Sequence, residues 1–380
     1  MIITNVKVFG SDCRFHEGQV GIEDGRIRAQ ASGEEFDGKG WYAVPGLVDI
    51  HFHGCVGHDF CDGTEESIQA LADYELSCGV TSITPATMTL DEETLTRVCL
   101  AAAAHKNNRG ARIIGINMEG PFISREKKGA QNEAFVRRPD AHMFERLNEA
   151  SGGMIRQVAL APETEGAMEF VRRVREKTVV SIAHTVSDYD TAMEAIRQGV
   201  THVTHLYNAM PPYSHRAPGV VGAAADSPGV FVELICDGVH IHPAAIRTTF
   251  KIFTDERICL ISDSMEATGM EDGEYALGGQ AVFKKGNRAT LKDGTIAGSA
   301  TNLMDCVRTA VGMGIPLESA IRCATVNPAK SIGVFDRYGS LEEGKCADVV
   351  LLDEKLNLKA VFLDGKLVSG GSCLGARNQR

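Results

Sequence analysis

The chain has 380 residues, 43% of them apolar and 23% charged, a composition that fits a folded globular protein and excludes a disordered one. Its net charge of −11 argues against nucleic acid as a partner, because that role needs broad basic surfaces, yet leaves room for a small anion held by one arginine. No apolar run approaches the roughly 20 residues of a membrane span, and the 11 scattered cysteines, with no CxxC pair, suit reduced thiols in a cytoplasmic protein.

The start, "MIITNVKVFGSD", lacks the features of a signal peptide and reads as a strand. Residues 1–44 carry short β-type runs and an "EDGRI" turn. Eight short apolar runs follow: 46–54, 80–88, 112–122, 155–163, 178–185, 200–210, 230–240 and 257–265. Between them the spacing predicts amphipathic helices over 64–78, 91–107, 139–150, 164–177, 187–198 and 243–254. The helix from 187 opens with "SDYD", a Ser N-cap with an acid three residues on, and stops at Gly199. Residues 211–229 read as loop with room for a short helix. The stretch 275–298 reads as a β-hairpin able to fold over the site, and helices near 300–313 and 316–324 follow. At the far end, "ADVVLLD" and "AVFLDGKLV" repeat the β character of the start, with Asp-Gly as a hairpin signal.

Eight strands alternating with helices predict an α/β fold, a (β/α)8 TIM-like barrel. A doubly wound open sheet is the alternative, but it usually gathers its ligand at one switch point. Here polar groups stand at the C-terminal ends of six of the eight runs, which suits a barrel mouth. The expected domains are a small β-sandwich from 1–44 plus 340–380 and a barrel over 45–339 with the hairpin inserted at about 275–298.

The strand-end residues are His51 and His53, Glu119, His184, His205, His240 and Asp263. In "DIHFHG" the two histidines are two apart, so on a strand both point to one face. Five imidazoles and two carboxylates at strand ends are a ligand set for Zn, Fe or Mn, and they predict a metal-dependent hydrolytic site. His16 and His105 are expected in solvent, and His202 is expected to face away from His205.

"PGLVDIHFHG", the strand-end histidines and the late aspartate resemble the amidohydrolase superfamily. Within it, "MEGPFIS", "AHTVSDYD", "THLYNAMPP", "DGVHIHP", "SDSMEATG" and "AGS" resemble the N-acetylglucosamine-6-phosphate deacetylase family over almost the whole chain. The resemblance implies hydrolysis of the N-acetyl group of N-acetylglucosamine 6-phosphate, giving glucosamine 6-phosphate and acetate, in amino-sugar catabolism. It implies a metal triad of Glu119, His184 and His205, and Asp263 as the catalytic acid–base group. His240 would contact substrate and polarise the acetamide carbonyl. Ala130, Asn208, Ala209, Arg216, Ile296, Ala297 and Gly298 match substrate-contacting positions, with Asn208, Ala209 and Arg216 nearest the phosphate. Arg216 lies in an irregular loop that also suits a solvated arginine.

The resemblance also implies zinc, with iron, manganese or cobalt as alternatives, and a homodimer acting on a small phosphorylated amino sugar. His51 and His53, with Asp263 and a bridging Glu119, would complete a second site, so one or two ions per chain are expected. A deacetylase for the galacto epimer is the main alternative. A cyclic-amide hydrolase is less favoured, because the fourth run, "IRQVALAPE", offers no lysine to bridge two metals.

Overall fold

The computed structural model describes residues 1–370; the last ten residues of the expected terminal β domain, 371–380, lie outside the described residues. The fold is mixed α/β. Each of the eight apolar runs contains strand: Leu47–Asp49, Val80–Ile83, Arg112–Ile113 with Ile116–Met118, Ile155–Leu160, Val179–Ile182, His202–Val203, Phe231–Ile235 and Ile258–Ile261. Every pairing between them is parallel. They form a three-stranded sheet from Leu47 to Ile113 and a six-stranded sheet from Ile116 to Ile261, joined by a parallel bridge between Ala86 and Asn117. The last run meets the first: Asp263 N–H donates to the His51 carbonyl at 2.9 Å, and His53 N–H donates to Ser264 O at 2.7 Å.

Helices Glu65–Ser77, Glu92–Ala104, Ala141–Ala150, Ala167–Val174, Tyr189–Gln198 and Pro243–Phe253 fall where periodicity places them. The first buries Ile68, Leu71, Ala72 and Leu76, the spacing of one helical face. Burying each of its larger side chains contributes about 2 kcal/mol. Thr64, Asp91, Asp140 and Asp188 cap four of these helices by accepting from backbone N–H groups of the first turn. The fifth helix is therefore capped one residue later than expected. Ser187 is committed elsewhere, donating to Glu163 at 2.7 Å. The loop at 211–229 contains a short helix, Gly219–Ala225.

Both ends of the chain meet in one seven-stranded sheet. Its order is Lys366–Gly370, Leu358–Leu363, Val349–Leu352, Glu35–Pro45, Ile2–Phe9, Phe15–Glu23, Arg26–Ile27. Ile3, Val6, Val20, Ala43, Val349, Leu351 and Phe362 form an apolar cluster of its own. Asp24-Gly25 and Asp364-Gly365 make the two Asp-Gly turns with positive φ at both residues, as a type I′ hairpin turn requires. The insertion is a three-stranded antiparallel sheet, Gly273–Leu277, Gln280–Lys285 and Arg288–Thr290. Its Leu277, Val282 and Ala289 pack on Met88 and Met265 beside the strand ends. No helix among the described residues is long and apolar enough to cross a membrane.

Candidate metal centre and active site

The C-terminal ends of the parallel strands surround a cavity of about 630 Å³. His53, Glu119, His184, His205, His240 and Asp263 line it, facing Leu277, Gln280 and Ile296 from the insertion side. His184, His205 and Asp263 all adopt positive φ (43°, 28° and 49°), a left-handed backbone that disfavours side-chain-bearing residues. Such a conformation costs about 1–3 kcal/mol each and persists where the surrounding structure enforces it. Here it turns three functional side chains inward at the point where each strand ends. Gly298 is also left-handed, and a Cβ there would stand 3.1 Å from the Asp263 carbonyl, so a bare backbone is needed beside this residue.

Two ligand groups result. In one, Glu119 Oε1 lies 3.0 Å from His205 Nε2 and 3.2 Å from His184 Nε2, and the two nitrogens are 3.1 Å apart. In the other, His53 Nε2 lies 3.4 Å and His51 Nε2 3.7 Å from Asp263 Oδ1. Within each group the ligand atoms lie within 4.8 Å of one another, and every residue is buried. Glu119 stands between them, its Oε2 3.3 Å from His53 Nε2 and its Oε1 3.5 Å from His51 Nε2.

The donor chemistry fits a divalent cation. His184 Nδ1 lies 2.8 Å from the Lys127 carbonyl, and His51 Nδ1 lies 2.8 Å from Glu233 Oε2. Both partners only accept, so each ring carries a proton on Nδ1 and turns Nε2 to the centre, the atom that offers a lone pair to a metal once any second proton has left. Among the described residues, the buried His51 Nε2 has no hydrogen-bond partner. Converging lone pairs in a buried place call for a cation, and imidazole with carboxylate is a set that zinc accepts.

Charge is balanced within the cluster itself. Burial alone would raise the Glu119 carboxyl, but His51, His184 and His205 together hold it well below the ordinary range. Burial would lower His53, but Asp263 and Glu119 push it up to about 10. Asp263 is likewise held down against burial by His53 and His51.

A family model for the amidohydrolase family matches residues 42–368. The chain is 34% identical to the N-acetylglucosamine-6-phosphate deacetylase of Bacillus subtilis (strain 168), over 97% of this chain and 96% of that one. It is 34% identical to the N-acetylgalactosamine-6-phosphate deacetylase of Escherichia coli O157:H7, over 86% of this chain and 87% of that one. Among solved structures, a variant N-acetyl-D-glucosamine-6-phosphate deacetylase from Mycobacterium smegmatis, in complex with N-acetyl-D-glucosamine-6-phosphate, superposes with a TM-score of 0.89. It shares 32% identity, covering 97% of this chain and 98% of that one.

The chain belongs to the amidohydrolase family.

Metal dependence goes with the amidohydrolase family, and the two ligand groups are where this chain offers donors. The structure brings Ala130, Asn208, Ala209, His240, Ile296 and Gly298 to the cavity lining. It does not bring Arg216 there: that side chain is exposed in the loop before the short helix. Ala297 is fully buried, packed in the apolar cluster beneath the insertion instead of lining the cavity. The basic groups that do line the cavity are Arg125, Lys127 and Lys128. His105 is also not in solvent; its ring is buried against Glu65 at 3.0 Å.

Several contributors escape a reading of strand ends. Asp237 accepts the Nδ1–H of His240 at 2.7 Å and, through its other oxygen, the backbone N–H groups of Val239 and His240. That aims His240 Nε2 away from Asp237. The i,i+3 spacing in "DGVH" is a signal that was available. Gln131 donates to Glu119 Oε2 at 2.7 Å and accepts Thr89 N–H at 2.6 Å, fixing the carboxylate's rotation. Glu233, Gln157 and His202 form a buried group behind His51.

Proposed function

We propose that this amidohydrolase is an N-acetylglucosamine-6-phosphate deacetylase, releasing acetate and glucosamine 6-phosphate in amino-sugar catabolism. The observation that carries the reading is the convergence of Glu119, His184, His205 and Asp263 in one cavity. Full-length relatives that carry this name support it.

In this proposal Glu119, His184 and His205 hold one divalent ion. His51, His53 and Asp263, with Glu119 between, hold a second. Zinc is the proposed metal, since its preferred donors are the ones present. A bound cation supplies Lewis acidity towards an amide carbonyl and lowers the pKa of a nearby water. Asp263 removes the proton of the attacking water and returns it to the departing amine. His240, anchored by Asp237, donates from Nε2 to the acetamide oxygen as charge develops there. Asn208 and Ala209 face the phosphate end, with Ile296 and Gly298 along the sugar. A homodimer is proposed; Arg216 is exposed and outside the cavity lining, so no phosphate contact is assigned to it.

We also propose that the two parallel sheets close as a (β/α)8 barrel over 45–339, and that the terminal sheet folds as a small sandwich from 1–44 plus 340–380. A cytoplasmic setting is proposed from the free thiols among the described residues.

The experiment is acetate release from N-acetylglucosamine 6-phosphate with added Zn, Mn or Fe, beside the galacto epimer and the unphosphorylated sugar. Rapid release from the phosphorylated gluco sugar alone is expected. Faster turnover of the galacto epimer would favour the second reading, which the Escherichia coli relative motivates.

A further inference from the structure

Glu233 lies on the strand Phe231–Ile235, fully buried in an otherwise apolar run. A carboxylate there is costly unless the protein satisfies it. Four donors do so. His51 Nδ1–H at 2.8 Å and the backbone N–H of His205 at 3.1 Å reach Oε2. Gln157 Nε2–H at 2.8 Å and His202 Nε2–H at 3.1 Å reach Oε1. These donors come from three different parallel runs, those of His51, Gln157 and the His202–His205 pair, so Glu233 is a node in the floor under the metal centre. Two of them belong to proposed ligands, one from each ligand group.

The geometry points to Glu233 as a positioning residue of the two-ion centre: it turns His51 so that Nε2 faces His53 and Asp263, and it ties that corner to the backbone of His205. This rests on the two-ion reading proposed above. The constraint on His51 is steric and directional. Packing holds the plane of the buried His51 ring, and among the described residues the Nδ1–Glu233 hydrogen bond fixes which nitrogen meets the cavity. Oε1, held by Gln157 and His202, prevents the carboxylate from rotating away.

Replacement chemistry separates positioning from bulk. Among the described residues, Gln157 Oε1 and His202 Nδ1 have no hydrogen-bond partner. In Glu233→Gln, the Gln157 amide can turn its oxygen to the new NH2 and His202 can change tautomer, so His51 keeps an acceptor. Glu233→Met keeps the volume and removes the acceptor.

The test is ion stoichiometry and affinity on the purified full chain, by elemental analysis after equilibration with zinc and by chelator competition. Cobalt absorption reports each corner, and acetate release is assayed on the same samples. The native protein is expected to bind two ions. Glu233→Met is expected to keep the Glu119–His184–His205 ion and lose the other. Glu233→Gln is expected to bind both, the second about 10- to 100-fold more weakly, the scale for mutating an outer-shell partner, here from a charged to a neutral acceptor. Two ions at native affinity in either variant would overturn the positioning role. A native chain that binds one ion yet releases acetate would overturn the two-ion reading and this inference with it, leaving the deacetylase proposal standing. If Glu233→Met fails to fold, the Gln variant's second-site affinity decides alone.

Discussion

Asp237 Oδ2 accepts the Nδ1–H of His240 at 2.7 Å, in a turn where Asp237 also holds the His240 backbone N–H at 2.9 Å. The pair is mostly buried, and its electrostatics bear on catalysis. Burial alone would lower the His240 imidazole, but Asp237 outweighs it and raises it above the ordinary value. His240 then keeps its proton above the usual imidazole range of about 6.5, and the activity that depends on it fades as pH rises through the raised value. Asp237→Asn is expected to move the alkaline limb of the kcat–pH profile to lower pH. At the optimum it costs up to about 100-fold in kcat, the scale of losing one well-placed donor. An unmoved alkaline limb would remove His240 from the protonated role.

Asp263 belongs both to the proposed acid–base step and to the His51–His53 ligand group. Asp263→Asn is expected to lower kcat on the order of 100- to 10,000-fold, the range for a lost general acid–base group. The Glu119–His184–His205 ion should remain, while zinc content falls towards one ion per chain. Elemental analysis beside steady-state kinetics checks both parts. Near-normal turnover would show that another group moves the proton.

Much of this arrangement was legible because a parallel strand buried on both faces reads as an apolar run, and a polar residue closing such a run stands out. His51, His53, Glu119, His184, His205 and Asp263 are all marked in that way. The left-handed φ of His184, His205 and Asp263 left no such mark, since nothing in "SIAHT", "VTHLY" or "ISDSM" announces a turn residue. Glu233 was visible as a charge inside "VFVELIC", but its partners come from strands far apart in sequence. Arg216 matched by motif, while its exposure depends on how the 211–218 loop leaves the parallel sheet. Ser187 lost the cap to Asp188 because Glu163, distant in sequence, draws its hydroxyl.

Arg112 joins the third parallel run to the terminal sheet. Its guanidinium meets Asp348 at 2.6 and 3.0 Å and Asp364 at 2.7 Å. The Asp348 side chain is only 7% exposed, whereas Asp364 is half in solvent and contributes less. Arg112→Met leaves the Asp348 carboxylate buried without its partner and is expected to destabilise by about 3 kcal/mol. Adding Asp348→Asn should recover part of that loss by removing the uncompensated charge. Denaturant unfolding of the single and double variants measures both; equal midpoints for native and Arg112→Met would contradict the bidentate pair.

Metal uptake should release protons. In the metal-free chain His53 is pushed up to about 10, burial being outweighed by Asp263 and Glu119. His51 is raised in the same way, against burial, by Glu233 and Glu119. Near neutral pH both rings therefore hold a proton that a metal ligand cannot keep. The sign for stability follows from the raised value. The protonated His53 stabilises the metal-free fold fully below about 6.5, and that contribution is lost as pH climbs through about 10. Metal binding strengthens over the same interval because fewer protons must leave. The gap in melting temperature between metal-loaded and metal-free protein should therefore widen from about pH 6.5 to pH 9. Titration calorimetry with zinc in two buffers of different ionisation enthalpy should show proton release accompanying the ion at the His51–His53 corner. A buffer-independent enthalpy, with a constant gap in melting temperature, would mean that the rings are already neutral and that His51 and His53 do not exchange protons for metal.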